Sequence, residues 1–195
     1  MKKTTYLNLF LLFFSITSSV VYAQTTLTAG DVAFLGYNTD ANGTEDHSFS
    51  WITLEDISAG TVIYFTEEGW NANGNTWYGS TSEGHYSWTA SNITPAGTIV
   101  YIYENASTDV LISSVGSMST ILSGTGWNLS AGDNIFAYQS STGVKPSSPN
   151  FLSGLYGDDN FAHTVGCDDA NNWFDCQNCT TSGQSCATTG VSTTG

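Results

Sequence analysis

Positive charge is almost missing from this sequence. Three Lys and Arg stand against 17 Asp and Glu in 195 residues, and the formal net charge at pH 7 is −14. Two of the cations are Lys2 and Lys3, which leaves Lys145 alone in the rest of the chain. Such a chain repels nucleic-acid phosphates and anionic lipid headgroups. We therefore expect no nucleic-acid partner. Three interpretations of the excess acidic residues are open: they keep an exported protein soluble, they supply calcium ligands, or they bind a cationic partner.

Long apolar runs are also missing after the first 23 residues. Lys2 and Lys3, an apolar segment at 7–14 and a small-residue site ending at Ala23 form the pattern of a signal peptide. The apolar segment is shorter than the roughly 20 residues that a spanning helix needs. The sequence therefore predicts that residues 1–23 are removed and that the remainder is secreted or displayed at the cell surface without a membrane span. A retained N-terminal anchor is the alternative.

Cysteine is scarce and confined to one segment. In an exported chain an even, clustered set predicts two disulfides, and three pairings are open. The single C-x2-C pair also permits a zinc or redox interpretation, although four-thiolate zinc sites usually contain two such pairs. The segment at 161–195 has little apolar material, so we expect an irregular region ordered by cross-links. It is either a tail or, as we favour, part of a longer protein. The cysteines are Cys167, Cys176, Cys179 and Cys186.

What the chain does contain is a fourfold repeat: Thr, Ser or Pro, then Ala, Gly, and Thr or Asp, followed by a short apolar run. Its glycines are Gly30, Gly60, Gly97 and Gly132. Glycine permits a tight turn, and the β-branched and aromatic residues that follow favour a strand. The repeat therefore predicts four strand starts.

Alternating apolar and polar residues predict eight strands separated by Gly, Asn, Asp, Ser and Thr. We expect an all-β, two-layer antiparallel β-sandwich of immunoglobulin-like layout over 24–160, with a closed β-barrel as the alternative. The best helical candidate is short, Ser114 to Leu122. The predicted strands are 32–36, 49–54, 62–66, 85–89, 99–103, 110–113, 135–138 and 151–156.

Several stretches of the chain resemble a family of secreted bacterial surface modules. They are GDVAFLGYNTD at 30–40, the pattern FxWIxLxDIxAGTxIYFTExGW at 49–70, EGxxxWTA at 83–90, GDxIFAYQ at 132–139 and NWxDC at 172–176. Such modules occur in large exported proteins, often ahead of a C-terminal sorting domain, and their layout is similar to the immunoglobulin-like sandwich of lamin-tail domains. The resemblance implies a surface module and carries no catalytic residue.

Catalytic motifs are hard to find. The sequence contains neither G-x-S-x-G nor H-E-x-x-H, and His47, His85 and His163 show no triad spacing. Glu67 and Glu68 follow a predicted strand and could form an acid–base pair with Glu83. Neighbours in a strand point to opposite faces, however, so we expect two solvated carboxylates. The prediction is a protein that is not an enzyme.

An acidic loop between the first two strands is the better-motivated ligand site. Asp40, Asn42, Glu45 and Asp46 surround Gly43, and calcium prefers such carboxylate and amide oxygens. The spacing differs from that of an EF-hand. We expect calcium as the one candidate cofactor, with an ordinary acidic turn as the alternative.

Aromatic residues in a Gly- and Asn-rich loop suggest a binding face. Trp70, Trp77 and Tyr78 lie within the loop at 69–84, and exposed aromatic rings can stack on sugars or form a protein hot spot. The alternative is that Trp70 and Trp77 fold back over the sandwich as a cap. The other central tryptophans are expected in the core: Trp51, Trp88 and Trp127.

These observations together predict a non-enzymatic extracellular binding or structural module whose partner is a glycan or a protein. A carbohydrate-binding module that uses the aromatic loop is one alternative. An accessory fragment of a larger secreted hydrolase is the other.

Overall fold

The structure is a computed structural model that describes residues 23–39, 45–71, 75–77, 83–119, 122–124, 126–127, 129, 134–156 and 172–173. These residues form twelve strands. They are β1 Val32–Asn38, β2 Glu45–Thr53, β3 Val62–Thr66, β4 Trp70–Asn71, β5 Thr76–Trp77, β6 His85–Thr89, β7 Ile99–Asn105, β8 Val110–Ser113, β9 Ser117–Met118, β10 Asn134–Gln139, β11 Asn150–Tyr156 and β12 Asn172–Trp173.

Two main antiparallel sheets organise the strands. The first has the order β1-β2-β7-β8 and the second the order β11-β10-β3-β6-β9, while β12-β4-β5 form a small third sheet. Neither main sheet closes on itself and the described residues contain no helix, so an all-β fold is confirmed and the closed-barrel alternative is wrong. None of the described residues belongs to a helix of the length and apolarity that crossing a bilayer requires.

The two main sheets pack face to face through aromatic side chains. Phe49 and Trp51 of β2 alternate with outward-facing residues, and they meet Phe65 of β3 and Trp88 of β6. The Phe49 and Phe65 ring centroids are 5.2 Å apart, and the Trp51 and Trp88 rings meet edge to face at 5.0 Å. Since Trp51 and Trp88 are fully buried and Trp127 is 3% exposed, their predicted core positions are confirmed.

Three of the four repeated turns share one geometry. The N–H of Asp31, Thr61 and Thr98 each donates to the carbonyl three residues earlier, at 3.1 Å. Gly60 and Gly97 have φ values of +82° and +84°, which side chains with a Cβ rarely adopt. The turn of Gly132 lies outside the described residues. The repeat thus marks a β-turn before β1, β3 and β7.

All eight predicted strands are present, several with ends extended by one to four residues. The short helical candidate over 114–122 is not a helix in its described residues. Gly116, with φ +74°, breaks the segment, and its Cα lies against the Trp88 ring, where a Cβ would come within 2.5 Å of Nε1. Ser117–Met118 then pair with β6 as β9. Packing against a core tryptophan outweighs the weak helical pattern. Residues 1–22 of the predicted signal peptide lie outside the described residues.

Candidate functional site

A second aromatic cluster covers the outer face of the five-stranded sheet. Phe136 and Tyr138 of β10 point away from the inter-sheet core, because Ala137 between them faces it. Trp70 and Trp77, from the paired β4 and β5, pack over these two side chains and are 7% and 6% exposed. This part of β10 is therefore buried on both faces.

Polar side chains lie inside this aromatic cover. His85, at the start of β6, places Nε2 2.7 Å from Oε2 of Glu68 and Nδ1 2.8 Å from the hydroxyl of Tyr138. Lys145 Nζ lies 2.8 Å from Oε1 of Glu68, and the Lys145 backbone N–H donates to the Tyr138 hydroxyl at 3.1 Å. We call these four residues the buried polar cluster: Glu68, His85, Tyr138 and Lys145.

One protonation pattern satisfies every contact in the buried polar cluster. A neutral His85 donates from Nε2 to the Glu68 carboxylate and accepts the Tyr138 proton at Nδ1. Burial lowers the pKa of His85 below its ordinary value, and the opposing attraction of Glu68 offsets this only in part. His85 is therefore neutral at pH 7, and Tyr138 is a donor to it.

Glu68 keeps its negative charge although its side chain has no solvent exposure. Burial raises the pKa of a carboxyl, but the hydrogen bonds from His85 and Lys145 and the attraction of both groups outweigh burial, so the pKa of Glu68 lies below its ordinary value. Burial also raises the pKa of Tyr138, which stays protonated. Glu68, His85 and Tyr138 are therefore enclosed, while Lys145, whose side chain is 31% exposed, bonds Glu68 from the solvent side.

The Trp77 indole seals the buried polar cluster on one side. Its ring centroid is 4.7 Å from that of His85, nearly perpendicular, and its Nε1–H donates to the Pro146 carbonyl at 2.8 Å. The same segment carries Lys145, whose backbone has φ +51°. The loop at 140–149 between β10 and β11, which we call the 140s loop, and the β4–β5 hairpin therefore hold each other over His85.

A second histidine–carboxylate pair lies on the other sheet. His47 Nδ1 is 3.0 Å from Oε2 of Glu104, with side-chain exposures of 16% and 7%. This pair is far less enclosed than the buried polar cluster and joins β2 to β7.

Two open grooves lie on the outer surfaces. One, of about 370 Å³, lies on the outer face of the four-stranded sheet and is lined by Gly36, Tyr37, Asn38, Ser48, Phe49, Ser50 and Tyr101; we call it the tyrosine groove. The other, of about 400 Å³, lies beside the N-terminal segment, and its lining includes Thr25, Tyr64, Gln139 and Asn150. Hydrogen bonds of Gln139 fix the lining of the second groove. Its Oε1 accepts from the Leu27 N–H, and its Nε2 donates to the Thr25 and Val62 carbonyls.

The residues singled out from the sequence fall in different places. Trp70 and Trp77 lie together in the second aromatic cluster, with ring centroids 5.0 Å apart, which is the arrangement of a cap. Tyr78 lies outside the described residues, so a binding role for this loop stays a prediction. Glu67 and Glu68, expected as solvated carboxylates, are 2% and 0% exposed, and that expectation is wrong.

The calcium and disulfide predictions concern parts of the chain that the structure does not describe. Asp40 and Asn42 lie outside the described residues, as do the side chains of Glu45 and Asp46. Among the described residues there is no group of three His, Cys, Asp or Glu placed to hold a metal ion. The four cysteines also lie outside the described ranges: Cys167, Cys176, Cys179 and Cys186.

Sequence reasoning missed both the buried polar cluster and the tyrosine groove. No local motif joins the charged members of the cluster, because His85 lies 17 residues and Lys145 lies 77 residues after Glu68. The groove was readable in part, since Tyr101 and Tyr103 alternate with the buried residues of β7 and must therefore face outward. Comparison with protein-family models, with curated proteins and with solved structures finds no match.

Proposed function

We propose that the chain is a secreted or cell-surface module that binds an extracellular glycan or protein or serves as a structural unit, and that it is not an enzyme. The observation that carries the proposal is the full burial of Glu68 and His85 within the buried polar cluster. His85 and Glu68 have no side-chain exposure and bond to one another, to Tyr138 and to Lys145. A catalytic acid or base must reach the proton that it transfers. Groups enclosed in this way are better suited to stabilising the fold.

The proposal extends to the finer architecture. We propose that the sheet pair has an immunoglobulin-like layout and that disulfides among the four cysteines staple the segment at 161–195. Alkylation of the exported chain with and without prior reduction, followed by mass measurement, tests this: four alkylated cysteines without reduction would contradict it.

A calcium ion at the loop of Asp40, Asn42, Glu45 and Asp46 belongs to the same proposal. Oxygen ligands of this kind hold Ca²⁺, and a ligand that binds only the folded state raises its melting temperature. Millimolar calcium should therefore raise the melting temperature of the wild type and not that of Asp40→Ala. No shift in the wild type would remove calcium from the proposal.

The functional experiment sets binding against turnover. The exported chain is passed over immobilised polysaccharides and extracellular matrix proteins, and in parallel it is incubated with glycoside, ester, phosphoester and peptide substrates. Retention without turnover, or neither, supports a binding or structural module. Turnover by the wild type that Glu68→Gln or His85→Gln loses, with the variant still folded by near-ultraviolet circular dichroism, would overturn the proposal.

A further inference from the structure

The outer face of the four-stranded sheet combines a pair of tyrosine rings with a small, polar floor. Gly36 pairs with Ser50, and Ser50 pairs with Tyr101, so these three residues form one row across β1, β2 and β7. The next row runs from Asn38 through Ser48 to Tyr103. Since residues in register share a face of the sheet, both rows point away from the core.

A pair of aromatic rings borders this floor on the side of β7. Tyr101 and Tyr103 lie side by side with ring centroids 5.6 Å apart and planes within 24° of parallel. Tyr37, on the edge strand, also lines the groove, but it is in register with Phe49 and Ile102 and so lies on the core-facing side of β1, outside the two outward rows. Gly36, at the edge-strand end of the first row, leaves the floor open, because a Cβ there would meet no heavy atom within 4 Å. The result is an open groove of about 370 Å³ beside the tyrosine pair.

The chemistry of the lining selects among ligands. Its residues are tyrosine, phenylalanine, serine, asparagine and glycine, and none carries a charge. An anionic ligand would meet a chain with a net charge of −14, and a cationic ligand would find no carboxylate in this lining. A pyranose has one apolar C–H face, which stacks on aromatic rings, and a rim of hydroxyls, which suits serine and asparagine.

From these features we propose that the tyrosine groove binds a pyranose unit of a neutral polysaccharide. The inference rests on the proposed function, because it gives the binding module a ligand class and a site. It differs from a site in the loop of Trp70 and Trp77, whose indoles are buried. The sugar ring stacks on Tyr101, and its hydroxyls bond Asn38 and Ser50, one from each row.

Four variants of the exported chain test the site. Tyr101→Ala removes an aromatic wall, and Gly36→Val fills the groove from a strand position with open space and no positive φ. The matched controls are Ile99→Ala and Leu35→Val, which alter 56% and 53% exposed side chains on the same two strands without lining the groove. Binding is measured by affinity electrophoresis through a soluble β-1,4-glucan, a β-1,3-glucan or an α-glucan, with polygalacturonate as an anionic comparison.

We expect the wild type to be retarded by at least one neutral glucan. Tyr101→Ala and Gly36→Val should each weaken that binding about tenfold or more, as removal of a central contact does, while both controls stay within about twofold of the wild type. Retardation that all four variants share would overturn the site and leave a binding module standing.

Two further outcomes separate the ligand class from the function. Equal or stronger retardation by polygalacturonate would overturn the neutral-sugar assignment. Retention by an immobilised protein with no retardation in any glucan would also overturn it, yet it would support the proposed function. Enzymatic turnover is the result that would remove the proposed function, and it is measured independently of these gels.

Discussion

His85 Nε2 lies 2.7 Å from Oε2 of Glu68, and neither side chain is exposed to solvent. The two residues lie on either side of the loop that contains Trp70 and Trp77, so their contact closes this loop over the outer face of the five-stranded sheet. Lys145 completes the pair from the 140s loop. An intact buried ion pair adds little to the free energy of unfolding compared with apolar residues of the same size. Removal of one partner, however, leaves the other as an unpaired buried charge and destabilises the fold.

Replacing Glu68 therefore tests how much the fold depends on the buried polar cluster. Glu68→Gln keeps the shape and an acceptor for His85, but it removes the negative charge opposite Lys145. We expect the free energy of unfolding to fall by about 1–3 kcal/mol, the range for hydrogen bonds to charged groups. Urea denaturation followed by tryptophan fluorescence measures it. Glu55→Gln, at an exposed position, is the control and should change stability by less than about 0.5 kcal/mol.

The same cluster predicts loss of stability in acid. The pKa of His85 is below 6.5 in the folded protein, so below pH 6.5 the unfolded chain binds a proton that the folded chain does not. Stability then decreases as the pH falls from 6.5 to the folded pKa, with a slope of up to about 1.4 kcal/mol per pH unit. The pKa of Glu68, also lowered, extends the loss below pH 4.5.

Melting temperatures between pH 3 and 8 separate the two groups. His85→Gln is expected to be less stable at pH 7 and to show a flatter decrease between pH 6.5 and 5, because the titrating group is gone. The decrease below pH 4.5 should persist in this variant. A wild-type melting temperature that is constant from pH 7 to 5 would contradict a neutral, buried His85.

We expect the same substitution, Trp to Phe, to destabilise the fold by different amounts at Trp51 and Trp88. Trp88 Nε1 donates to the Val115 carbonyl at 2.6 Å, whereas Trp51 Nε1 is buried without a hydrogen-bond partner among the described residues. Trp→Phe creates a cavity at either position. Trp88→Phe also removes a hydrogen bond, so it should cost about 1 kcal/mol more than Trp51→Phe. Guanidinium unfolding of the two variants measures the difference, and equal costs would contradict it.

Local patterns were enough to predict the strands and the inner core. Phe49 and Trp51 alternate with serines along β2, and Val62 to Thr66 match β3 residue for residue, because a strand with one buried face repeats every two residues. The outer cover of the five-stranded sheet was not predictable in this way. Trp77 packs on His85 across the intervening loop and on Tyr138 far along the chain, and no strand or helix period encodes such contacts.

Burial of charge was the other failure of sequence reasoning. Glu67 and Glu68 directly follow β3. Alternation along the strand alone predicts that carboxylates at a strand end lie in solvent. The actual environment of Glu68 depends on Lys145, the sole cation beyond the N-terminal pair, which reaches it from 77 residues away. The sequence shows that Lys145 is nearly alone as a cation, but it does not show that Glu68 is the partner of Lys145.

The repeated turns offer a test that reaches beyond the described residues. Gly60 and Gly97 have positive φ and open space at Cβ, so replacement by Ala should cost about 1–2 kcal/mol through backbone strain alone. Gly36→Ala is the matched control, since it has the same open space without a positive φ and should cost nothing. The repeat predicts that Gly132→Ala behaves like Gly60→Ala. Urea denaturation of the four variants decides this, because a Gly132→Ala protein as stable as Gly36→Ala would show that the fourth copy forms a different turn.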